Sequence, residues 1–318
     1  MKKHAYLIIA HTNFEQLKKL LKLLDDQRND IYIFIDKKSN VDEKVFESCC
    51  KFSNVYFTRR ENINWGGFSQ ISAEMILFKA SAAQEKYAYY HLLSGMDLPL
   101  HSQEYIHAFF DKYAGYEFFT FTGEEIYRRV NPKIRFQYYY CFQDILCSKI
   151  LKKCLLKIQN GMLLPIQKEL KVNRLRNCNI EIGYGANWAS VTDDFVRYLL
   201  KYENEIKHMY QKSFCCDEIY KHTLLLNSPF RKRIFIPDGV RDRQEDRQGN
   251  LRYINWWAGS PKVWTMKDQD ELKNAMNRGY LFSRKFDERV DGQIINWVCK
   301  QVKREYESDF RIHFENIE

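Results

Sequence analysis

Two adjacent acids, Asp217 and Glu218, stand near the head of residues 213–227, SFCCDEIYKHTLLLN. Ile219, Thr223 and Leu226 recur at helical spacing behind them, which predicts a helix capped by Asp217 with Glu218 in its first turn. The positive helix end would keep that carboxylate ionised, and an ionised, fixed carboxylate can take a proton from a substrate hydroxyl as a general base. Acids in a first turn also serve a purely structural end by complementing the helix dipole. Both readings stand on these residues alone.

The elements that must position such a group begin at the N-terminus. Short apolar runs alternate with helical patterns: 5–10 then 14–24, 31–36 then 41–50, 55–58 then 68–83, with strand-like runs at 87–93 and 117–121. This alternation predicts a doubly wound α/β sheet of mostly parallel strands, whose ligands sit beyond the strands' carboxyl ends. Candidate residues are therefore Ala10 and His11, Asp36 to Lys38, and Ser94 to Asp97. No GxxxxGK[ST] or GxGxxG follows the first strand, which argues against a P-loop enzyme or a dehydrogenase. His11, before Thr12 and Asn13, could touch a ligand or simply turn the chain. Asp36 could hold a ribose hydroxyl or uracil edge, or cap the next segment. Trp65-Gly66-Gly67 suits stacking on a ring and equally a tight corner. Further on, 192–207 reads as a helix started by Thr192-Asp193-Asp194, 183–191 as a glycine turn into a strand, and 231–236 as strand-like. Residues 238–250 read as a polar loop, 251–257 as an aromatic run, and 268–276 and 290–306 as helices.

The chain has 318 residues, 45% hydrophobic and 15% aromatic, enough for one large core, and no linker or repeat divides it. Nine scattered cysteines without a CxxC spacing suggest reduced thiols, not a disulfide framework or zinc site. No apolar run approaches a membrane span or signal-peptide core, so a cytoplasmic chain is expected. A net charge of +9 favours anionic partners. Part of it lies in the amphipathic run 149–176, where Glu169 is the single acid among eight Lys and Arg residues. That run could contact an anionic membrane or present a solvated face. No helix-turn-helix, RRM or KH signature accompanies it, so nucleic acid is not an expected partner.

Six strings in chain order resemble one family: IIAH at 8–11, FIDKKS at 34–39, NWGGFS at 64–69, LLSGMDLPL at 92–100, the DE pair at 217–218 and LFSRKFD at 281–287. They are similar to the core-2/I-branching β-1,6-N-acetylglucosaminyltransferases and their xylosyltransferase relatives. The resemblance implies a GT-A-like fold and inverting transfer from a UDP-sugar without a metal ion or other cofactor. The only DxD triplet, Asp268-Gln269-Asp270, opens a helical pattern and does not follow a strand. Within the resemblance Glu218 matches the general base, and Lys285 matches a lysine that contacts the donor diphosphate. Counting back without gaps from it lands on Lys262 as a second cation, where animal members carry arginine. Ala10, His11, Asp36 and Trp65 match positions bordering the donor, and Trp188 and Tyr253 lie in strings resembling acceptor-side segments. Ordinary core packing is the alternative for both aromatics.

One domain is expected, with a nucleotide-binding half over 1–121 and an acceptor- and diphosphate-binding half over 122–318. The expected reaction moves N-acetylglucosamine to a hydroxyl of a glycan or lipid-linked acceptor. Alternatives are xylosyl transfer from UDP-xylose, or a non-catalytic carbohydrate- or nucleotide-binding module of the same fold. Without the animal members' anchor or disulfide pattern, the resemblance fits a bacterial enzyme at the inner membrane face, with 149–176 as its contact.

Overall fold

In the computed structural model, residues 2–176, 178–236, 243–259 and 261–315 are described. Seven residues of the first strand, β1 (His4–Ala10), alternate between two cores: Tyr6 and Ile8 point to one side, Ala5 and Leu7 to the other. Beside it β2 (Asn29–Ile35) is buried at every position, as expected of a parallel strand covered on both faces. The helix Phe14–Leu24 fills the first side with Leu17, Leu20, Leu21 and Leu24, an i, i+3, i+4, i+7 stripe. The helix Phe68–Gln84 covers the second side with Ile71, Met75 and Phe78.

With β3 (Asn54–Phe57), β4 (Tyr89–Ser94) and β6 (Ser190–Thr192), these strands form a five-stranded sheet in the order β3-β2-β1-β4-β6. All pairings are parallel except β4 with β6. The chain runs outward from β1 to β3 and then returns to β4 on the other side of β1. The strand ends of β1 and β4 therefore flank a topological switch point, where a ligand crevice is expected. A three-stranded sheet follows, β5 (Asp97–Pro99), β8 (Phe282–Arg284) and β7 (Arg252–Ile254), in the order β5-β8-β7. Strand pairings thus cross the 121/122 position, and each core draws residues from both sides of it.

Several expected elements take another form. Residues 41–50 yield only the 3-10 turn Glu43–Phe46, because little beyond Phe46 and Cys49 is buried there to reward a longer helix. The run 117–121 makes isolated bridges to Gly185, Ser190 and Ile234 in place of a ladder. The stretch 231–236 instead opens with a 3-10 turn, Pro229–Arg233, capped by the Ser228 hydroxyl, and its proline suits a helical start. The helix expected over 192–207 is capped by Thr192 as foreseen and breaks at Tyr202 into Asp193–Lys201 and Glu203–Tyr210. Residues 238–242 of the expected polar loop lie outside the described residues.

Candidate active site

Asp36 follows β2, and its backbone N–H donates to the Ala10 carbonyl at 3.0 Å, which locks the ends of β1 and β2 together. The buried Asp36 carboxylate accepts from Lys38 N at 2.9 Å and pairs with Lys38 Nζ at 3.4 Å. It therefore closes its own turn, whereas the next helical segment, Glu43–Phe46, is capped by Asp42 and not by Asp36 as one reading of the sequence has it. The Ser39 hydroxyl donates to the His11 carbonyl at 2.8 Å. His11 is exposed; partial burial lowers its pKa, the Asp36 charge opposes this, and Lys285, Arg284 and Lys38 reinforce it. The first two strand ends and the LFSRKFD string thus meet at one rim.

Lys285 is brought there by three anchors on its own segment. Gln16 Nε2 donates to the Phe286 carbonyl at 3.1 Å, Asn13 Nδ2 to Asp287 at 2.9 Å, and Phe286 N to the Met96 carbonyl at 2.9 Å. In the neighbouring β5–β8 pair Asp97 lies opposite Arg284, and the two form a partly buried ion pair at 2.6 Å. Gly95 allows the strands to approach closely at the crossing, where a Cβ would stand 3.2 Å from Ala10 Cβ. Among the described residues Lys285 Nζ has no hydrogen-bond or ion-pair partner. Burial and the Arg284 charge lower its pKa from the usual lysine range. Lys262 lies alongside, its carbonyl accepting from Lys285 N at 3.4 Å. Its ammonium, however, is held by Asp268 at 2.6 Å and Glu271 at 3.4 Å.

Glu218 sits in a 3-10 turn, Cys216–Glu218, which Cys215 enters with φ 49°. The helix proper, Tyr220–Leu226, begins after Ile219, without a side-chain cap. The sequence reading of Asp217 as cap is therefore corrected. The left-handed step at Cys215 turns Asp217 inward, where it accepts from Gln70 Nε2 at 3.2 Å. Burial, with the charges of Glu218 and Glu74, pushes Asp217 up to about 7. Glu218, 29% exposed, is oriented by Arg135 Nη1 donating to its Oε2 at 2.8 Å, not by a helix end. Arg135 also donates to the Cys215 carbonyl at 3.1 Å and to the Tyr184 hydroxyl at 3.3 Å. Burial, with the Glu218 charge, raises the Tyr184 phenol to about 12.

Hydrogen bonds and ring contacts close the two rims into a ring, in which Lys38 Nζ donates to the Ile63 carbonyl just ahead of the Trp65 turn. Gly185 N donates to the Glu218 carbonyl at 3.1 Å, and three residues later the Arg284 guanidinium lies 4.6 Å from the centroid of the Trp188 ring. On the other side Cys215 N donates to the Gly66 carbonyl at 2.9 Å, and the Trp65 ring meets Phe214 edge-on at 5.6 Å. Trp65 is 75% exposed and so free to cover a ligand. Tyr253 departs from the expectation of sugar stacking: its ring is buried parallel to Trp264 at 5.7 Å, with its hydroxyl on Glu271 at 2.7 Å. Core packing is the reading its burial supports. Arg135 and Tyr184 are the site residues that the sequence did not single out. Tyr184 lies in the glycine turn 183–191, and Arg135 in a basic stretch of Arg128, Arg129 and Lys133, but nothing in their spacing pointed to Glu218.

Beneath the turn lies a buried pair, Lys221 with Glu74, in which Glu74 also accepts from Tyr220 at 2.5 Å and Asn187 at 2.7 Å. Asp268 of the DxD triplet caps its own turn by accepting from Thr265 N at 2.9 Å. Among the described residues no group of three or more His, Cys, Asp or Glu is placed to hold a metal ion. None of the described helices is long and apolar enough to cross a membrane.

The described geometry thus sets an arginine-held carboxylate and a lysine ammonium without a partner among the described residues near the strand ends of an α/β sheet. The family model for the Core-2/I-Branching enzyme matches residues 4–274, and the chain belongs to that family of glycosyltransferases. It is similar to xylosyltransferase 2 of Canis lupus familiaris, 22% identical over 306 residues, covering 92% of this chain and 32% of that one. The xylosyltransferase of Ciona intestinalis is 19% identical over 314 residues, covering 95% and 34%. The chain spans about a third of the length of these curated relatives. Among solved structures, mouse xyloside xylosyltransferase 1 aligns with a TM-score of 0.35 at 9% identity, covering 89% of this chain and 97% of that one.

Proposed function

We propose that the protein is an inverting glycosyltransferase that moves a sugar from a UDP-sugar to a hydroxyl of a glycan or lipid-linked acceptor. The carrying observation is the ring that joins the Arg135-oriented Glu218 carboxylate to the unpaired Lys285 ammonium. The acceptor oxygen attacks the anomeric carbon, its proton passes to Glu218, and the bond from that carbon to the diphosphate oxygen breaks. Lys285 stabilises the departing UDP, so the charge a metal ion would otherwise supply comes from the protein. Ala10, His11 and Asp36 border the uridine, Trp65 covers the donor, and Trp188 faces the acceptor. Lys262 contributes only when the donor draws its ammonium from Asp268 and Glu271. The layout is read as GT-A-like and the location as cytoplasmic.

N-acetylglucosamine is the donor sugar expected from the motif resemblance. A second reading, transfer of xylose, is favoured by the relatives, which are named xylosyltransferases. The deciding experiment pairs Glu218→Gln with a thermal-shift and turnover screen across UDP-sugars, with and without EDTA. Glu218→Gln is expected to lower turnover by about 10²- to 10⁴-fold, the range of general-base catalysis, while UDP binding stays near wild type. Wild-type turnover in that variant would remove Glu218 as base, and loss of activity in EDTA would remove metal independence.

A further inference from the structure

The helical segment after residue 148 has no buried residue in either α-helix, Lys149–Ile158 or Leu164–Glu169, and between them Gln159 alone is buried. Its surface carries a lysine stripe and an apolar ladder. Lys149, Lys152, Lys153 and Lys157 line a groove of about 570 Å³ together with Leu156 and Asn160. Beside them Ile150, Cys154, Ile158, Met162, Ile166 and Leu170 recur every four residues, and all are exposed, Ile150 at 79% and Leu170 at 72%. An apolar ladder of that length left in water on a globular surface implies an apolar occupant. A lysine stripe directly alongside requires that occupant to carry negative charge at its polar boundary.

We propose that residues 149–170 dock the protein onto an anionic lipid bilayer, the apolar ladder entering the acyl boundary and the lysine stripe lying among the headgroups. Charge complementarity selects this occupant: the ladder alone would suit a second copy of the chain, but two copies would bring eight lysines together, twice the four on one stripe. Nucleic acid would use the lysines and leave the ladder in water. Hydrogen bonds tie the surface to the ring around Glu218. Gln159 Oε1 accepts from Phe142 N at 3.0 Å, and Asp144 two residues on accepts from the Ser69 hydroxyl at 2.6 Å, just past the Trp65 turn. Lys152 also feels the charges of Asp144 and Lys38. Docking therefore sets the Lys38 and Trp65 rim close to the bilayer, where an acceptor carried by a lipid would present its hydroxyl.

The test is flotation of the full chain with phosphatidylcholine vesicles, with and without phosphatidylglycerol, read without any sugar substrate. The wild type is expected to float only with the anionic vesicles and to be released by salt. Ile150→Asp with Ile158→Asp should abolish flotation, and replacing Lys149, Lys153 and Lys157 by Gln should weaken it by about fivefold for each lysine. Transfer to a soluble acceptor should stay at the wild-type rate in both variants, which separates this surface from the catalytic reading. Equal binding to neutral vesicles, undiminished flotation of either variant, or a dimer that buries Ile150 and Ile158 would overturn the proposal.

Discussion

The Arg135 guanidinium fixes the direction of the Glu218 carboxylate, so removing it separates orientation from charge. Arg135→Ala is expected to lower kcat by about 10²-fold, the cost of a misplaced catalytic group, with UDP affinity unchanged. Equal losses in donor affinity and kcat would instead place Arg135 on the donor. Lys285 carries a pH signature. Burial and Arg284 lower its pKa, so its charge is lost at a lower alkaline pH than an ordinary lysine's as pH rises. UDP affinity should fall with it. Lys285→Arg, which stays charged throughout, should keep UDP binding level over the same range in a calorimetric titration.

At the scale of elements, the helices Phe68–Gln84 and Tyr220–Leu226 are joined by the buried Lys221–Glu74 pair, and Lys221 Nζ also donates to the Asp217 carbonyl of the Cys216–Glu218 turn at 3.4 Å. Lys221→Met leaves Glu74 buried and uncompensated, and should cost about 3–5 kcal/mol in chemical denaturation. Adding Glu74→Gln should recover most of that loss, because the penalty belongs to the orphaned charge. The Trp65 turn is similarly constrained. A Cβ on Gly67 would stand 2.1 Å from Asp144 Oδ1 and would displace the carboxylate that accepts from Ser69. Gly67→Ala is expected to lower stability by about 1–3 kcal/mol and to raise the KM for donor, measured by thermal unfolding and initial rates.

For the whole molecule, acid stability is set partly at the far end of the sheet. His4 stacks on His107 at 4.0 Å and meets His91 at 3.0 Å, all three buried. Burial lowers each pKa, that of His107 to about 4, with Arg28 and Arg252 adding to the effect and Asp26 opposing it at His107. Between pH 6.5 and 4 the unfolded chain therefore binds protons that the folded state refuses, and stability falls as pH falls, by about 1.4 kcal/mol per unit for each site. Glu117 and Asp217, both raised to about 7 chiefly by burial, act with the opposite sign in that window. His107→Gln removes one histidine contribution and leaves the acids in place. Its denaturation midpoint should thus drop less than the wild type's on acidification.

The clearest local elements and the inventory of chemical groups could be read from the chain alone. The alternation in 5–10 and the leucine stripe in 14–24 encode a strand and a helix, because periodicities of two and 3.6 are properties of the chain next to itself. The strings SGMDLPL and LFSRKFD were visible separately, but only the tertiary structure pairs Asp97 with Arg284 across 187 positions and leaves Lys285 uncompensated beside His11. The same limit applies to the paired acids. Asp217 read as a cap because capping is local, whereas its burial against Gln70 and the grip of Arg135 on Glu218 come from segments distant in the chain. Charge and burial at a site depend on which segments converge there, and that convergence is a long-range outcome of packing.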